Sequence, residues 1–232
     1  MDRQGNLYTF IYASVLVVVV AALLAFVSQS LKPIQDKNVE VAKKIDILKS
    51  VKIESTSKDA VEKYDEYIGD NSFIIDFNGD KVDGDAFTVN MEKEVKKSLE
   101  ERQYPVYVFT VDGEKKYIIP VRGKGLWGPI WGYVSLNSDK KTVFGAIFGH
   151  KGETPGLGAE IDKPAFQIPF AGKTIFDKDG NFTSIQVNKN VDTSKDPHAV
   201  DAISGGTITS KGVEAMLKDC LSGYENFLKN KN

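Results

Sequence analysis

Between Leu7 and Val27 the chain runs for 21 residues without a charged side chain, and Val15 to Val20 is an unbroken aliphatic stretch. As an α-helix rising about 1.5 Å per residue, such a run is long enough to cross a hydrocarbon core of roughly 30 Å. Its polar members, Tyr8, Thr9, Tyr12 and Ser14, gather at the N-terminal end, where tyrosines favour the membrane interface. A cleaved signal peptide is the rival reading. The run is longer than a typical signal core and no Ala-x-Ala site follows it cleanly, so we expect an uncleaved transmembrane anchor over residues 1–30. Arg3 stands before the span, and Lys32, Lys37, Lys43 and Lys44 stand after it. Counting positive charges places the remainder in the cytoplasm, but large domains translocate largely regardless of flanking charge.

Beyond the anchor, Pro33 suits a first helical position. Ile34, Val41, Ile45 and Leu48 fall on one helical face, giving a juxtamembrane helix or linker over 31–55. Helices are expected over Lys58–Ile68 and over Asn90–Glu101, the latter with Met91, Val95 and Leu99 on one side. Strand-like runs follow at Tyr104–Val111, Lys116–Val121, Ile130–Leu136 and Thr142–Phe148. Asp112-Gly113 marks a hairpin, and Asp179-Gly180 a turn ahead of a strand-like Phe182–Val187. From Lys211, the residues Val213, Met216, Leu217, Cys220, Leu221, Tyr224, Phe227 and Leu228 recur with helical period. That stripe reads as core rather than cofactor contact, and Cys220 as a small core hydrophobe. The expectation is an α+β architecture, an N-terminal transmembrane helix followed by one mixed α/β domain over 56–232.

The formal net charge is −2 with signs interspersed, which leaves no basic face for nucleic acid. A single cysteine excludes an internal disulfide, a cysteine-ligated zinc and an iron–sulfur cluster within this chain. With two histidines, His150 and His198, a metal site is not expected, so any redox chemistry falls to an organic cofactor.

Three segments carry chemistry. In Asp201-Ala-Ile-Ser-Gly-Gly-Thr-Ile-Thr-Ser210, Thr207 sits just before a helix start, where backbone N–H groups and the helix dipole stabilise a phosphate. Read from the residues alone, the same loop is also an ordinary helix cap. Gly123-Lys-Gly-Leu-Trp-Gly128 fits the dinucleotide pattern G-x-G-x-x-G. That pattern works only when it opens a helix. Here Pro129 and a strand-like run come next, so NAD binding by this chain is rejected. Trp127 offers a ring for stacking, although Trp127 and Trp131 read equally well as core fillers. The third segment, His150-Lys-Gly-Glu-Thr-Pro-Gly-Leu-Gly-Ala-Glu160, has the glycine and proline content of irregular backbone that lets a flat ligand approach closely. Within it Glu153 reads as a solvated loop carboxylate and His150 as a loop hydrogen-bonding group. Ser204 and Ser210 lie in no Gly-x-Ser-x-Gly elbow, which disfavours a hydrolase.

Taken in order, these segments resemble the NqrC family, the covalent-FMN-binding C subunits of sodium-translocating NADH:quinone oxidoreductases. Leu31-Lys-Pro-Ile-Gln-Asp-Lys-Asn38 is similar to its juxtamembrane Leu-Lys-Pro-x-Gln-x-x-Asn. The runs Gly-Leu-Trp and Glu-Thr-Pro-Gly-Leu-Gly match its other signatures. The 201–209 segment resembles its flavinylation motif Asp-x-x-Ser/Thr-Gly-Ala-Thr/Ser-x-Thr/Ser, with Gly206 where the family usually has Ala. The resemblance implies FMN attached to Thr207 by a phosphoester bond, with Leu126, Trp127, Thr154, Leu157 and Gly158 around the flavin. It implies Ser204, Gly205 and Gly206 in the attachment loop, Thr209 and Lys211 as phosphate holders, and Asp201 as a recognition residue for the modifying enzyme. It further implies an electron-carrier role beside other subunits of the membrane complex, maturation by an FAD:protein FMN transferase, and a flavin domain on the outer, periplasmic face. A homologous family, the G subunits of Rnf-type ferredoxin:NAD oxidoreductases, shares the flavinylation motif. The Gly-Leu-Trp-Gly-Pro-Ile-Trp-Gly stretch favours the sodium pump. A cofactor-free, membrane-anchored assembly factor is the rival of a different class.

Overall fold

A strand such as Tyr104-Pro-Val-Tyr-Val-Phe-Thr-Val111, apolar at nearly every position, needs cover on both faces, and the computed structural model provides it. The structure describes residues 5–111, 113–189, 192–193 and 195–230. By internal contacts the chain divides into Met1–Lys43 and Lys44–Asn232.

The first unit holds most of helix α1 (Asn6–Ser50). Its apolar window is long enough to cross a membrane and is unburied, and Tyr8 and Tyr12 stack at 6.4 Å near its start. The helix runs through Pro33, where the sequence suggested a fresh start. A proline there removes the helical hydrogen bond to the Gln29 carbonyl without breaking so long a helix. Arg3, used in the charge count, lies outside the described residues.

In the second unit the last turns of α1 are followed by α2 (Ala60–Tyr67), β1 (Ser72–Ile75), β2 (Lys81–Val82) and α3 (Met91–Glu94). Then come β3 (Tyr104–Val111), β4 (Glu114–Lys124), β5 (Pro129–Leu136), β6 (Val143–His150) and α4 (Pro164–Gln167). The chain closes with β7 (Gln186–Asn188), β8 (Ala199–Asp201), α5 (Thr207–Ser222) and α6 (Glu225–Lys229). Six strands form one sheet in the order β2-β1-β3-β4-β5-β6, antiparallel throughout. β7 and β8 form a separate parallel pair. Alternate strand residues serve the two faces. Val106, Val108, Ile119, Val121 and Val134 meet Val213, Met216, Leu217 and Leu221 of α5. On the other face Tyr107, Phe109, Ile118 and Tyr133 meet Ile47 and Leu48 of α1 and Tyr64 of α2. Burial pushes the Cys220 thiol up to about 12, as befits a core side chain.

Three segments depart from expectation. Helix formation in 90–101 stops after α3 because Ser98 is extended, with ψ 155°. The buried Arg102 donates to the carbonyls of Lys97 and Val95 at 3.1 and 3.2 Å, and pairs with Asp219 of α5 at 2.8 Å. The run Phe182–Val187 becomes strand only at Gln186, because Ser184 adopts a left-handed φ of 59°. Finally, α5 begins at Thr207 itself, four residues before Lys211. Asp112 of the expected hairpin turn lies outside the described residues.

Candidate functional site

Three loops converge beside the start of α5. The first joins β4 to β5 and is closed by the Gly125 N–H donating to the Gly128 carbonyl at 2.8 Å. A hairpin, not a helix, follows the G-x-G-x-x-G pattern, so no helix N-terminus is presented to a dinucleotide. The tight turn has no room to fold its two large side chains inward: Leu126 and Trp127 are 45% and 69% exposed. Trp131, four residues on, is half-buried, and its side chain hydrogen-bonds that of Asp46. The ambiguity between the two tryptophans is thus resolved by position, the first lying in a loop and the second in a strand.

The second loop follows β6. Its Thr154 carbonyl accepts the N–H groups of Leu157 and Ala159, both at 3.1 Å. The Glu160 carboxylate accepts from Gly156 N–H at 3.0 Å, at a residue with φ +74°. Leu157 is left standing out at 41% exposure. His150 accepts the Glu153 N–H at its Nδ1, 3.2 Å away, the loop hydrogen-bonding role its position suggested.

The third segment leads from β8 into α5. Ser210 Oγ accepts the Ile203 N–H at 3.1 Å, and the Gly206 carbonyl accepts the Ser210 N–H at 2.9 Å. Gly205, at φ +76°, makes the turn. The N-cap position is Gly206, so no side chain satisfies the first-turn N–H groups. Thr207 is the first helical residue and is exposed.

Together the loops enclose a cavity of about 220 Å³ lined by Leu126, Trp127, Glu153 and Thr154, by Leu157 and Gly158, and by residues 205–209. Nine of the residues singled out in the sequence therefore meet in one place: Leu126, Trp127, Thr154, Leu157, Gly158, Gly205, Gly206, Thr207 and Thr209. Two larger grooves, of about 820 and 830 Å³, are not lined by residues 201–209; the first borders the same loops and α5 through Gly128, Lys151 and Gly212.

Other assignments need correction. Thr209 is buried and donates its hydroxyl to Glu153 at 2.5 Å, so that donor is not turned toward a phosphate. The Lys211 ammonium pairs with Glu214 at 2.9 Å, one turn along the helix and outside the cavity lining. Ser204 is an exposed turn residue and does not line the cavity. Asp201, expected as a recognition residue for the modifying enzyme and not as a cavity residue, accepts from the Thr193 hydroxyl at 2.7 Å. Glu153 is not solvated: it is 4% exposed, with Oε1 accepting the Trp127 N–H at 2.9 Å. Sequence reasoning also missed Ile208, which lines the cavity while 60% exposed. No residue pattern announces an inward-turned glutamate; the signal lies in Gly125 and Gly158, where a Cβ would stand 2.5 and 2.6 Å from its two oxygens.

The residues fit a flavin mononucleotide in kind. An open helix N-terminus suits a phosphate, and four exposed apolar side chains (Leu126, Trp127, Leu157 and Ile208) suit a flat ring. The cavity is smaller than the roughly 300–1,000 Å³ usual for pockets that engulf a ligand, so a bound ring would remain partly open to solvent.

Residues 125–222 match the family of FMN-binding domains. The chain is 31% identical over 214 residues to the C subunit of Na(+)-translocating NADH-quinone reductase from Vibrio vulnificus, covering 84% of this chain and 83% of that protein. It is 41% identical over 135 residues to the Pseudomonas aeruginosa protein of the same name, covering 56% of this chain and only 52% of that one. Among solved structures it resembles the corresponding protein from Parabacteroides distasonis, with a TM-score of 0.81 and 48% identity over 87% of this chain and 98% of that one. Shewanella oneidensis NqrC gives a TM-score of 0.69 and 26% identity over 82% and 95%.

Proposed function

This chain belongs to the NqrC family, the C subunits of Na(+)-translocating NADH-quinone reductases, and from that premise we propose that it carries FMN on Thr207 through a phosphoester bond and relays electrons within such a complex. One observation carries the assignment of the residue: Thr207 is an exposed hydroxyl on the first residue of an uncapped 16-residue helix, beside a cavity walled by Trp127 and Leu157. FMN, when bound, supplies reversible one-electron chemistry; the chain supplies attachment, orientation and shielding.

The Thr207 oxygen would hold the phosphate where the first-turn N–H groups and the helix dipole favour negative charge. Trp127 and Leu157 would pack against the ring, with Leu126 and Ile208 at its rim. Gly158, Gly205 and Gly206 allow close backbone approach, and Thr154 holds the second loop in shape through its carbonyl. Attachment by an FAD:protein FMN transferase replaces the AMP of FAD with the Thr207 oxygen, whose proton is lost. Asp201, outside the cavity, would serve recognition by that enzyme. A tether matters because so shallow a cavity limits the affinity available from contacts alone. Helix α1 anchors the domain, which we place on the outer face of the membrane among the other subunits of the complex. The span Leu7–Val27 offers no charged ion ligand, so sodium would pass through those other subunits.

The test is in-gel ultraviolet fluorescence of the denatured chain, co-expressed with the transferase, beside Thr207→Ala. The expected result is a fluorescent wild type and a dark variant. A fluorescent variant moves the attachment elsewhere. A dark wild type, with a known acceptor fluorescing in the same cells, overturns the carrier role.

A further inference from the structure

Glu153 is the only charged residue among the described residues that line the Thr207 cavity. Its oxygens are divided between two walls. Oε1 accepts the backbone N–H of Trp127, and Oε2 accepts the Thr209 hydroxyl. Gly125 and Gly158 leave the slot it occupies, since a Cβ at either would collide with the carboxylate. Among the described residues no cation lies within ion-pair distance of it. Burying a carboxylate without a counter-charge costs stability unless its hydrogen bonds compensate, and here they are spent across a gap rather than within one loop. The two partners stand 26 and 56 residues away in sequence. One bears the exposed indole; the other lies two residues past the attachment threonine on the first turn of α5.

We propose that Glu153 is a positioning residue that fixes the distance between the Thr207 hydroxyl and the Trp127 wall, and so the register of a ligand held at both ends. A flavin esterified at one end and stacked at the other tolerates little slack in that distance, because a displacement of about 1 Å can cost roughly 100-fold in rate. This inference rests on the attachment reading above. It requires hydrogen bonds rather than charge. Glu153→Gln keeps an acceptor for Trp127 and leaves a group able to donate to the Thr209 oxygen, whereas Glu153→Ala removes both ties.

The experiment uses the full chain in detergent, without flavin, as Glu153→Gln, Glu153→Ala and Thr209→Val. In hydrogen exchange, Glu153→Ala is expected to speed exchange at Trp127 and in residues 206–210 while the sheet stays protected. Unchanged exchange there overturns the proposal. The same proteins are then given FAD and purified transferase, and labelling is followed by intact mass with Thr207→Ala as the blank. Glu153→Ala is expected to lose about tenfold or more, in kcat rather than in KM, because Asp201 is untouched. Glu153→Gln should stay within about threefold of wild type, and Thr209→Val, which cuts only one tie, should fall between. Labelling of Glu153→Ala at the wild-type rate, or a Glu153→Gln as poor as Glu153→Ala, overturns the positioning role. Should Glu153→Ala fail to fold, Thr209→Val decides alone. An unlabelled wild type overturns the attachment reading instead, and hydrogen exchange still decides whether Glu153 ties the walls together.

Discussion

Two helix starts in this domain are built in opposite ways. At α3 the Asn90 side chain accepts the N–H groups of Glu92 and Lys93 at 2.9 and 3.3 Å, closing the end of a helix only four residues long. At α5, sixteen residues long, the corresponding position is Gly206, which brings no side-chain cap. Lack of a side-chain cap is not itself distinctive, since α4 and α6 also start without one. But α4 opens with Pro164, which has no N–H at that position to satisfy, and α4 and α6 are only four and five residues long. On the proposed attachment to Thr207, the difference separates a helix start that serves folding alone from one whose polar groups are kept for a ligand.

The comparison breaks most readily at residue 206. Gly206→Asp would move the Asn90 solution to α5, with a carboxylate over the first-turn N–H groups in the place proposed for phosphate. Its backbone, at φ −101°, admits a side chain, but a Cβ would stand 2.9 Å from the Ile203 Cγ2 and 3.2 Å from the Leu157 carbonyl carbon, so these neighbours must shift in any variant at 206. FMN attachment, followed by intact mass, should fall by about tenfold or more, equivalent to about 1.4 kcal/mol of lost stabilisation. Gly206→Ala adds only the methyl group and should stay within about threefold, isolating the charge from the bulk. Equal labelling of both variants with wild type would remove the open N-terminus from the mechanism.

The converse change is smaller. Asn90→Ala should cost about 1 kcal/mol of stability, read as a shift in urea midpoint at constant slope, and should leave FMN attachment untouched. A variant that lost labelling in step with stability would mean that the two helix starts are coupled and the contrast is false.

What could be read from the chain follows the range of the interactions involved. The apolar N-terminal helix, the long strands and the apolar stripe from Val213 are local signals, and the structure shows them, with the helix running on to Ser50 and the stripe passing from α5 into α6. That Thr207, Trp127 and Leu157 share one cavity was legible because each belongs to a contiguous motif with a familiar chemical pattern. The shortened helix at 90–101 was not, because the Val95 and Lys97 carbonyls beyond its end are taken up by Arg102, whose partner Asp219 lies 117 residues away. Glu153 was misread for the same reason: whether a loop carboxylate faces water or the interior depends on Gly125 and Thr209, which its own segment does not contain. Thr209 and Lys211 were given phosphate roles by proximity to Thr207 in sequence, yet Thr209, two positions on, faces away from Thr207 toward Glu153, and Lys211, on the same face as Thr207, is drawn along the helix to Glu214.

Lys211 gives the smallest expected effect and the sharpest check on that last point. Its ammonium sits 2.9 and 3.1 Å from the two Glu214 oxygens, and Glu214 in turn accepts the Val187 N–H at 2.6 Å. The lysine is more than half exposed, so this i,i+3 pair is worth at most about 0.2–0.5 kcal/mol, less in salt. Lys211→Gln should therefore shift the urea midpoint only slightly, and FMN attachment by less than about twofold. A tenfold loss of attachment with unchanged stability would mean that the side chain leaves Glu214 when a phosphate arrives, so that the end of α5 is closed by a cation after all. Glu214→Gln separates the cases: it releases Lys211, so it should speed attachment if the lysine reaches the phosphate and leave the rate alone if the backbone N–H groups suffice.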